Sequence, residues 1–278
     1  MKNKKITSTE ELKKISKEIR KDIIRGLAQA GSGHTGASLG LTDVFTALYF
    51  NIMNHDSSNP KWEDRDRLIL SIGHVAPLLY TTLAYAGYFD KAELMTLRKL
   101  NSRLQGHPDK NKGLPGIELS AGSLGQGLSV AVGMALSGKL DNKLWRVFSI
   151  NGDGEMQEGS IWEAAMSAAF YKLDNLTGLI DRNHCQIDGK TYKVMKIEPL
   201  EDKWKAFGWN VIKCNGNNHS EIINAYDKAI NFKGKPSVII AETLMGKGVK
   251  SIEDNYKWHG KVPLKEQVDD FIRQIEED

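Results

Sequence analysis

Ser149-Ile-Asn-Gly152-Asp153-Gly154-Glu-Met-Gln-Glu158-Gly159 and, one helix-like segment later, Gly178-Leu-Ile-Asp181-Arg-Asn183-His-Cys185-Gln-Ile-Asp188-Gly189 decide how this chain is read. The apolar run Arg146 to Ile150 enters the first stretch, and a tight turn holds Asp153 between two glycines. A second apolar run, Leu176 to Ile180, leads to Asn183. Strand, crossover helix and strand in that order bring both strand ends to one edge of a sheet, where doubly wound folds bind ligands. Magnesium takes oxygen ligands in near-octahedral geometry and shares them with phosphates. One carboxylate and one amide leave room for two diphosphate oxygens. The glycines expose backbone N–H groups to such an anion. Gly-Asp-Gly alone is also an ordinary turn; the strand context and the placing of Asn183 favour a metal-bound diphosphate.

The rest of the chain alternates in the same way. Leu12, Ile15, Ile19, Ile23 and Leu27 recur at helical spacing from Thr9 to Ala30, with Ser8 or Thr9 as the cap. A second, more buried helix is expected from Gly40 through Ile52. A short strand, Leu68 to Ser71, precedes a helix from Leu78 to Tyr85. Ser160 to Tyr171 and Ser220 to Ile230 read as helices, and Val211-Ile212 and Ser237 to Ala241 as strands. The expected fold is α/β, a mostly parallel sheet with helices on both faces. One domain is expected over residues 1–278, with a C-terminal docking tail from about residue 262 whose Val268, Phe271, Ile272 and Ile275 form an apolar stripe.

Several histidines sit beside glycines. They are His34 in Gly31-Ser-Gly33-His34-Thr35-Gly36, His74 after Gly73, His107 in Gly106-His107-Pro108, and His259 in Trp258-His259-Gly260. Taken singly, each is as easily a bystander on a flexible loop. His74 is better placed, at a strand-to-helix crossover. Gly122-Ser-Leu124-Gly-Gln-Gly127 opens a helix, which permits close approach to an anion but equally suits tight packing.

The bulk numbers narrow the class. The chain has 278 residues, a net charge of +3 and 40% hydrophobic residues, as expected of a globular protein with no nucleic-acid footprint. Its two cysteines, Cys185 and Cys214, form neither a disulfide framework nor a metal-binding spacing. A reducing, cytoplasmic setting is expected. No run of about 18 apolar residues suggests a membrane span.

Gly152-Asp153-Gly154 with Asn183 resembles the thiamine diphosphate motif. The histidine loops, Gly122 to Gly127 and Trp258 to Gly260 follow the order found in the diphosphate-binding (PP) domain of transketolases, from the first helix to His259. The resemblance implies that Asp153, Asn183 and the Cys185 carbonyl hold Mg²⁺. Gly152, His74, Gly154 and His259 would meet the diphosphate, and Gly122 and Leu124 the cofactor rings. His34, His107 and His259 would line the substrate channel, orienting donor hydroxyls and moving protons. Glu158 resembles a glutamate that couples cofactor sites across a subunit interface; as an acid at a helix start it also suits the dipole. Thr35 and Ser123 stand where the family commonly has proline, which bears on loop rigidity.

In this family a pyrimidine-binding domain, with the glutamate that activates the cofactor and the groups that grip sugar phosphate, would follow His259. The chain ends at Asp278. The resemblance therefore implies the N-terminal subunit of a split transketolase, moving a two-carbon ketol unit from a ketose to an aldose. It would work with a C-terminal subunit in an α2β2 assembly. The tail stripe and the alanine-rich helix after Gly159 are the expected interfaces. The alternatives are a related enzyme for a sulfonated or deoxy ketose, the α subunit of a 2-oxo acid dehydrogenase, and a non-catalytic cofactor-binding subunit.

Overall fold

Alternating side-chain direction along the strands sorts the core into two layers. In the computed structural model residues 5–278 are described. The strands are β1 (Arg67–Leu70), β2 (Val147–Gly152), β3 (Leu176–Arg182), a separate antiparallel hairpin of β4 (Cys185–Gln186) and β5 (Gly189–Lys190), then β6 (Asn210–Asn215) and β7 (Ser237–Glu242). The main sheet runs β1-β2-β3-β7-β6, parallel throughout. Its helices are α1 (Thr9–Ala30), α2 (Gly36–Gly40), α3 (Thr42–Ala47), α4 (Ala76–Tyr85), α5 (Gly127–Leu140), α6 (Gly159–Phe170), α7 (Thr191–Val194), α8 (Leu200–Ala206), α9 (His219–Asn231) and α10 (Val268–Glu277).

Leu68, Leu70, Phe148, Ile150, Leu179 and Ile239 face one side of the sheet. They pack with Ile23 and Leu27 of α1, Phe45 of α3, Leu79 of α4 and Tyr226 of α9. Ile69, Val147, Ile180, Val238 and Ile240 face the other side, against Leu128 and Ala131 of α5, Ile161 and Ala165 of α6, and Trp204 of α8. A parallel sheet needs both faces covered, and each large apolar side chain so buried contributes about 1.5–3 kcal/mol. Among the described residues no helix is long and apolar enough to cross a membrane. Cys185 and Cys214 are both free and buried.

Three local differences from the sequence reading have physical causes. The helix expected from Gly40 is instead α2, α3 and a π-helical turn over Leu48–Ile52. α2 ends at Gly40, which packs closely on another segment: a Cβ there would lie 2.9 Å from the Leu244 carbonyl oxygen. The alanines of α6 are turned inward: Ala164, Ala165 and Ala168 are buried, and the exposed side carries Met166 and Phe170. The tail stripe docks on its own chain. Phe271 and Ile275 are buried, α10 lies against α1, and the Phe271 ring meets Trp258 edge to face at 5.5 Å. Those two residues are therefore not free to form a subunit interface.

Trp258 precedes His259, so the docked tail braces that histidine turn. Phe271→Ala should destabilise the chain by about 3–5 kcal/mol, as for other buried aromatics, and alter tryptophan fluorescence in the native state. Urea unfolding followed by fluorescence measures both; an unchanged midpoint would mean that α10 is not docked.

Candidate active site

The register of β2 and β3 builds the first corner of the site. Gly152 pairs with Asp181, so the two strands end level. Asp153 follows one end and Asn183 the other. Asp153 is buried. Its Oδ2 accepts from Arg182 Nη1 at 2.8 Å and from the His184 backbone N–H at 2.7 Å; its Oδ1 accepts from the Gly154 N–H at 2.7 Å. Burial pushes the Asp153 carboxyl up, against the opposing pull of Arg182 and these donors.

Asn183 is oriented by its neighbours. Its Nδ2 donates to Asp181 Oδ2 at 2.7 Å, which leaves Oδ1 on the other side, accepting from the Cys185 N–H at 2.9 Å. A backbone N–H can only donate, so the Cys185 N–H selects this amide orientation. Asp181 is wholly buried, bonded also to Thr243, and burial pushes its carboxyl up to about 7.

Glu155 builds the second corner. It is buried, and its Oε1 accepts from Ser71 Oγ at 2.5 Å and from the Gly125 N–H at 2.7 Å, while Oε2 accepts from the Gly152 N–H at 3.1 Å. One side chain thus ties the ends of β1 and β2 to the glycine loop before α5. Gly73 permits the approach: a Cβ there would lie 2.3 Å from the Ala121 carbonyl oxygen. Gly125 adopts φ +83°, a conformation that favours glycine.

The histidine loops close the site. The His34 ring lies 5.1 Å from His74, 6.2 Å from His107 and 5.7 Å from His259, and His74 lies 4.9 Å from His259. Burial, then the nearby His259 and His107 and the Arg98 charge, lower His34 to about 4. Burial leads for the other three as well, taking His74 well below its ordinary value and lowering His107 and His259. At neutral pH these rings are uncharged, each with one donor and one acceptor nitrogen. The Nδ1 atoms of His34 and His259 are buried without a hydrogen-bond partner among the described residues.

The two corners and the histidine loops open on one cavity of about 340 Å³. His34, His74, His107, Gly122, Leu124, Gly152, Asp153, Gly154, Glu158, Asn183, Cys185 and His259 all line it. Glu158 sits exposed at the start of α6 with no capping hydrogen bond of its own. Sequence reasoning assigned no role to Glu155, Asp181, Arg182, Gln157 or Gln186. The acid at Glu155 lies inside the motif and Asp181 at the strand end, where their positions were the available signal; the partners that explain them come from distant segments.

The residues fit a Mg²⁺-bound diphosphate. Asp153 Oδ1 and Asn183 Oδ1 each carry one protein hydrogen bond, so each retains a lone pair. With the Cys185 carbonyl that the resemblance implies, they would make a hard, all-oxygen set of the kind Mg²⁺ takes. The unpartnered imidazole nitrogens are free for a ligand. Among the described residues no three His, Cys, Asp or Glu side chains form a metal cluster; the oxygen set, with its single carboxylate, is a different kind of site.

Comparison with known proteins bears on the family and the fold. Residues 12–275 match the family model described as transketolase, thiamine diphosphate binding domain. The chain is 42% identical over 262 residues to one subunit of the apulose-4-phosphate transketolase of Phocaeicola vulgatus, covering 94% of this chain and 92% of that one. It is 43% identical over 260 residues to the 6-deoxy-6-sulfo-D-fructose transketolase subunit SqwG of Clostridium sp., covering 94% of each. The crystal structure of transketolase from Campylobacter jejuni superposes with a TM-score of 0.87 at 33% identity, over 97% of this chain and 42% of that one. The chain thus spans less than half of that solved enzyme.

The lowered His34 pKa carries a stability consequence. The unfolded chain, at an ordinary 6.5, takes up this proton before the folded chain does, at about 4. The His34 contribution is therefore complete above pH 6.5 and is lost as pH falls towards 4. His34→Gln should lose less stability than the wild type between pH 6.5 and 4 in urea unfolding; parallel curves would contradict the burial of a neutral ring.

Proposed function

This chain belongs to the transketolase family, and on that footing we propose that it is the diphosphate-binding, N-terminal subunit of a split transketolase. It carries a two-carbon ketol unit from a ketose to an aldose with thiamine diphosphate and Mg²⁺. One observation carries this reading: a single cavity gathers Asp153, Asn183 and Cys185 at the strand ends with His34, His107 and His259 on loops around it.

Thiamine diphosphate supplies a carbon nucleophile that also stores the electron pair released when the donor's C–C bond breaks. The protein's part is to hold and to move protons. Asp153, Asn183 and the Cys185 carbonyl hold the metal; the Gly154 turn and His74 receive the diphosphate, and Gly122 and Leu124 meet the rings. His34, His107 and His259, neutral at pH 7, accept and donate hydrogen bonds to donor hydroxyls and can take up a proton where one is released. Their lowered pKa values keep them from competing as cations with the metal for the diphosphate.

Two exposed apolar surfaces support an assembly. Ile187, Tyr192 and Met195 surround the hairpin at the cavity mouth, each about 60% exposed. Phe170 and Met166 are exposed on α6 and Leu140 on α5, two helices that lie against each other, and we take them as the second surface. Contiguous exposed apolar groups mark interaction sites. We assign the first to a C-terminal subunit carrying the pyrimidine-binding domain and its glutamate, and the second to another copy of this chain, giving α2β2. The relatives named as subunits match along nearly their whole length, which supports a separate partner. Free buried cysteines support a cytoplasmic setting. One relative is named for a phosphorylated sugar and another for a sulfonated one, so the sugar is the variable to scan.

Mixing this chain with the C-terminal subunit of the same organism, thiamine diphosphate and Mg²⁺ should give ketol transfer to ribose 5-phosphate. The donor panel is xylulose 5-phosphate, apulose 4-phosphate and 6-deoxy-6-sulfofructose. Neither chain alone should turn over. Transfer by this chain alone would contradict the split site, and cofactor binding without turnover on any donor would contradict ketol transfer.

A further inference from the structure

Thr35 makes a contact that no site role assigned above uses. It is fully buried, and its Oγ1 donates to the Lys261 carbonyl oxygen at 2.7 Å. That bond joins two segments remote in the chain: the loop that presents His34 and the turn that presents His259. Their rings meet edge to face at 5.7 Å. A functional imidazole is ordinarily aimed by a hydrogen bond to its other nitrogen. Here the Nδ1 atoms of both rings lack a partner among the described residues, so ring contacts and the placing of each backbone aim them.

The backbones meet at a close-packed seam. A Cβ at Gly36 would lie 2.6 Å from Met245 Cγ and 3.1 Å from the Trp258 carbonyl oxygen. The Gly246 N–H donates to the Gly36 carbonyl at 2.9 Å, and Ser38 Oγ donates to the His34 carbonyl at 2.7 Å. Packing brings the loops together, but packing alone permits sliding. A short hydrogen bond from a residue adjacent to His34 to a carbonyl two positions beyond His259 fixes their register.

We propose that Thr35 is a positioning residue whose hydroxyl, through the Lys261 carbonyl, sets the spacing of His34 and His259 across the cavity. This rests on the reading that both imidazoles face the substrate. Thr35 itself does not line the cavity and acts only through those rings.

Thr35→Val removes the hydroxyl at nearly constant shape, and Thr35→Ser keeps it; Thr35→Ala stands in for valine should valine fail to fold. In the reconstituted enzyme the valine variant should lose about tenfold in donor kcat/KM, since small misplacements of reacting groups cost that much or more. Its thiamine diphosphate Kd should stay within about twofold, because the metal corner is built on other elements, and serine should restore the rate. In the full-length chain, the imidazole ¹⁵N resonances of His34 and His259 should shift together in the valine variant and return in the serine variant, with His55 and His219 unmoved. Wild-type donor kinetics with unshifted resonances would overturn the proposal, as would a loss shared equally by cofactor affinity and melting temperature with no shift. Should the wild type transfer no ketol unit in any mixture, the functional reading fails on that ground, and the resonances alone then decide whether Thr35 sets the two rings.

Discussion

The level ends of β2 and β3 are the constraint on which the site depends. Pairing Gly152 with Asp181 puts Asp153 and Asn183 side by side just beyond the sheet. A slip of one residue would exchange the side chains of the two faces and spoil the fit of both layers, so the packing of the two hydrophobic layers holds the register. The layer that includes Phe148, Ile150 and Leu179 and the layer that includes Val147 and Ile180 therefore specify the metal corner as well as the core.

Electrostatics adds a second constraint. Asp153, Glu155 and Asp181 are buried close to the cavity, and burial pushes all three carboxyls up. Buried acids need hydrogen bonds or cations. Arg182 meets part of that need at Asp153, and backbone N–H groups meet most of it at Glu155. The four imidazoles, lowered by burial, add no positive charge at neutral pH. The site thus gathers its carboxyls and one arginine at a single corner, where a divalent cation would favour their ionised forms, and is neutral at the histidine loops.

Much of this was legible in the sequence because it is local. The Gly-Asp-Gly turn, the strand–helix–strand spacing and the histidine–glycine pairs each lie in one short segment, and the structure brings them to one cavity. The parallel sheet followed from alternation of strands and helices. What could not be read was contact between remote segments. Glu155 looked like filler until Ser71 and Gly125 were placed beside it. Thr35 looked like a rigidity substitution until Lys261 was found at its hydroxyl. The stripe of α10 had the pattern of a docking face, but pattern does not name the partner, and that partner is α1 of the same chain. The hairpin β4–β5 was missed because strands of two residues carry no periodicity.

Calorimetric titration of thiamine diphosphate into the reconstituted assembly, with and without Mg²⁺, compared between wild type and Asp153→Ala, tests the central claim most directly. The account predicts that wild type binds tightly only with Mg²⁺, and that Asp153→Ala abolishes the metal dependence and weakens binding by about a hundredfold, in the range for loss of a metal-site group. Equal, metal-dependent binding by both proteins would contradict a cofactor site built on the level ends of β2 and β3.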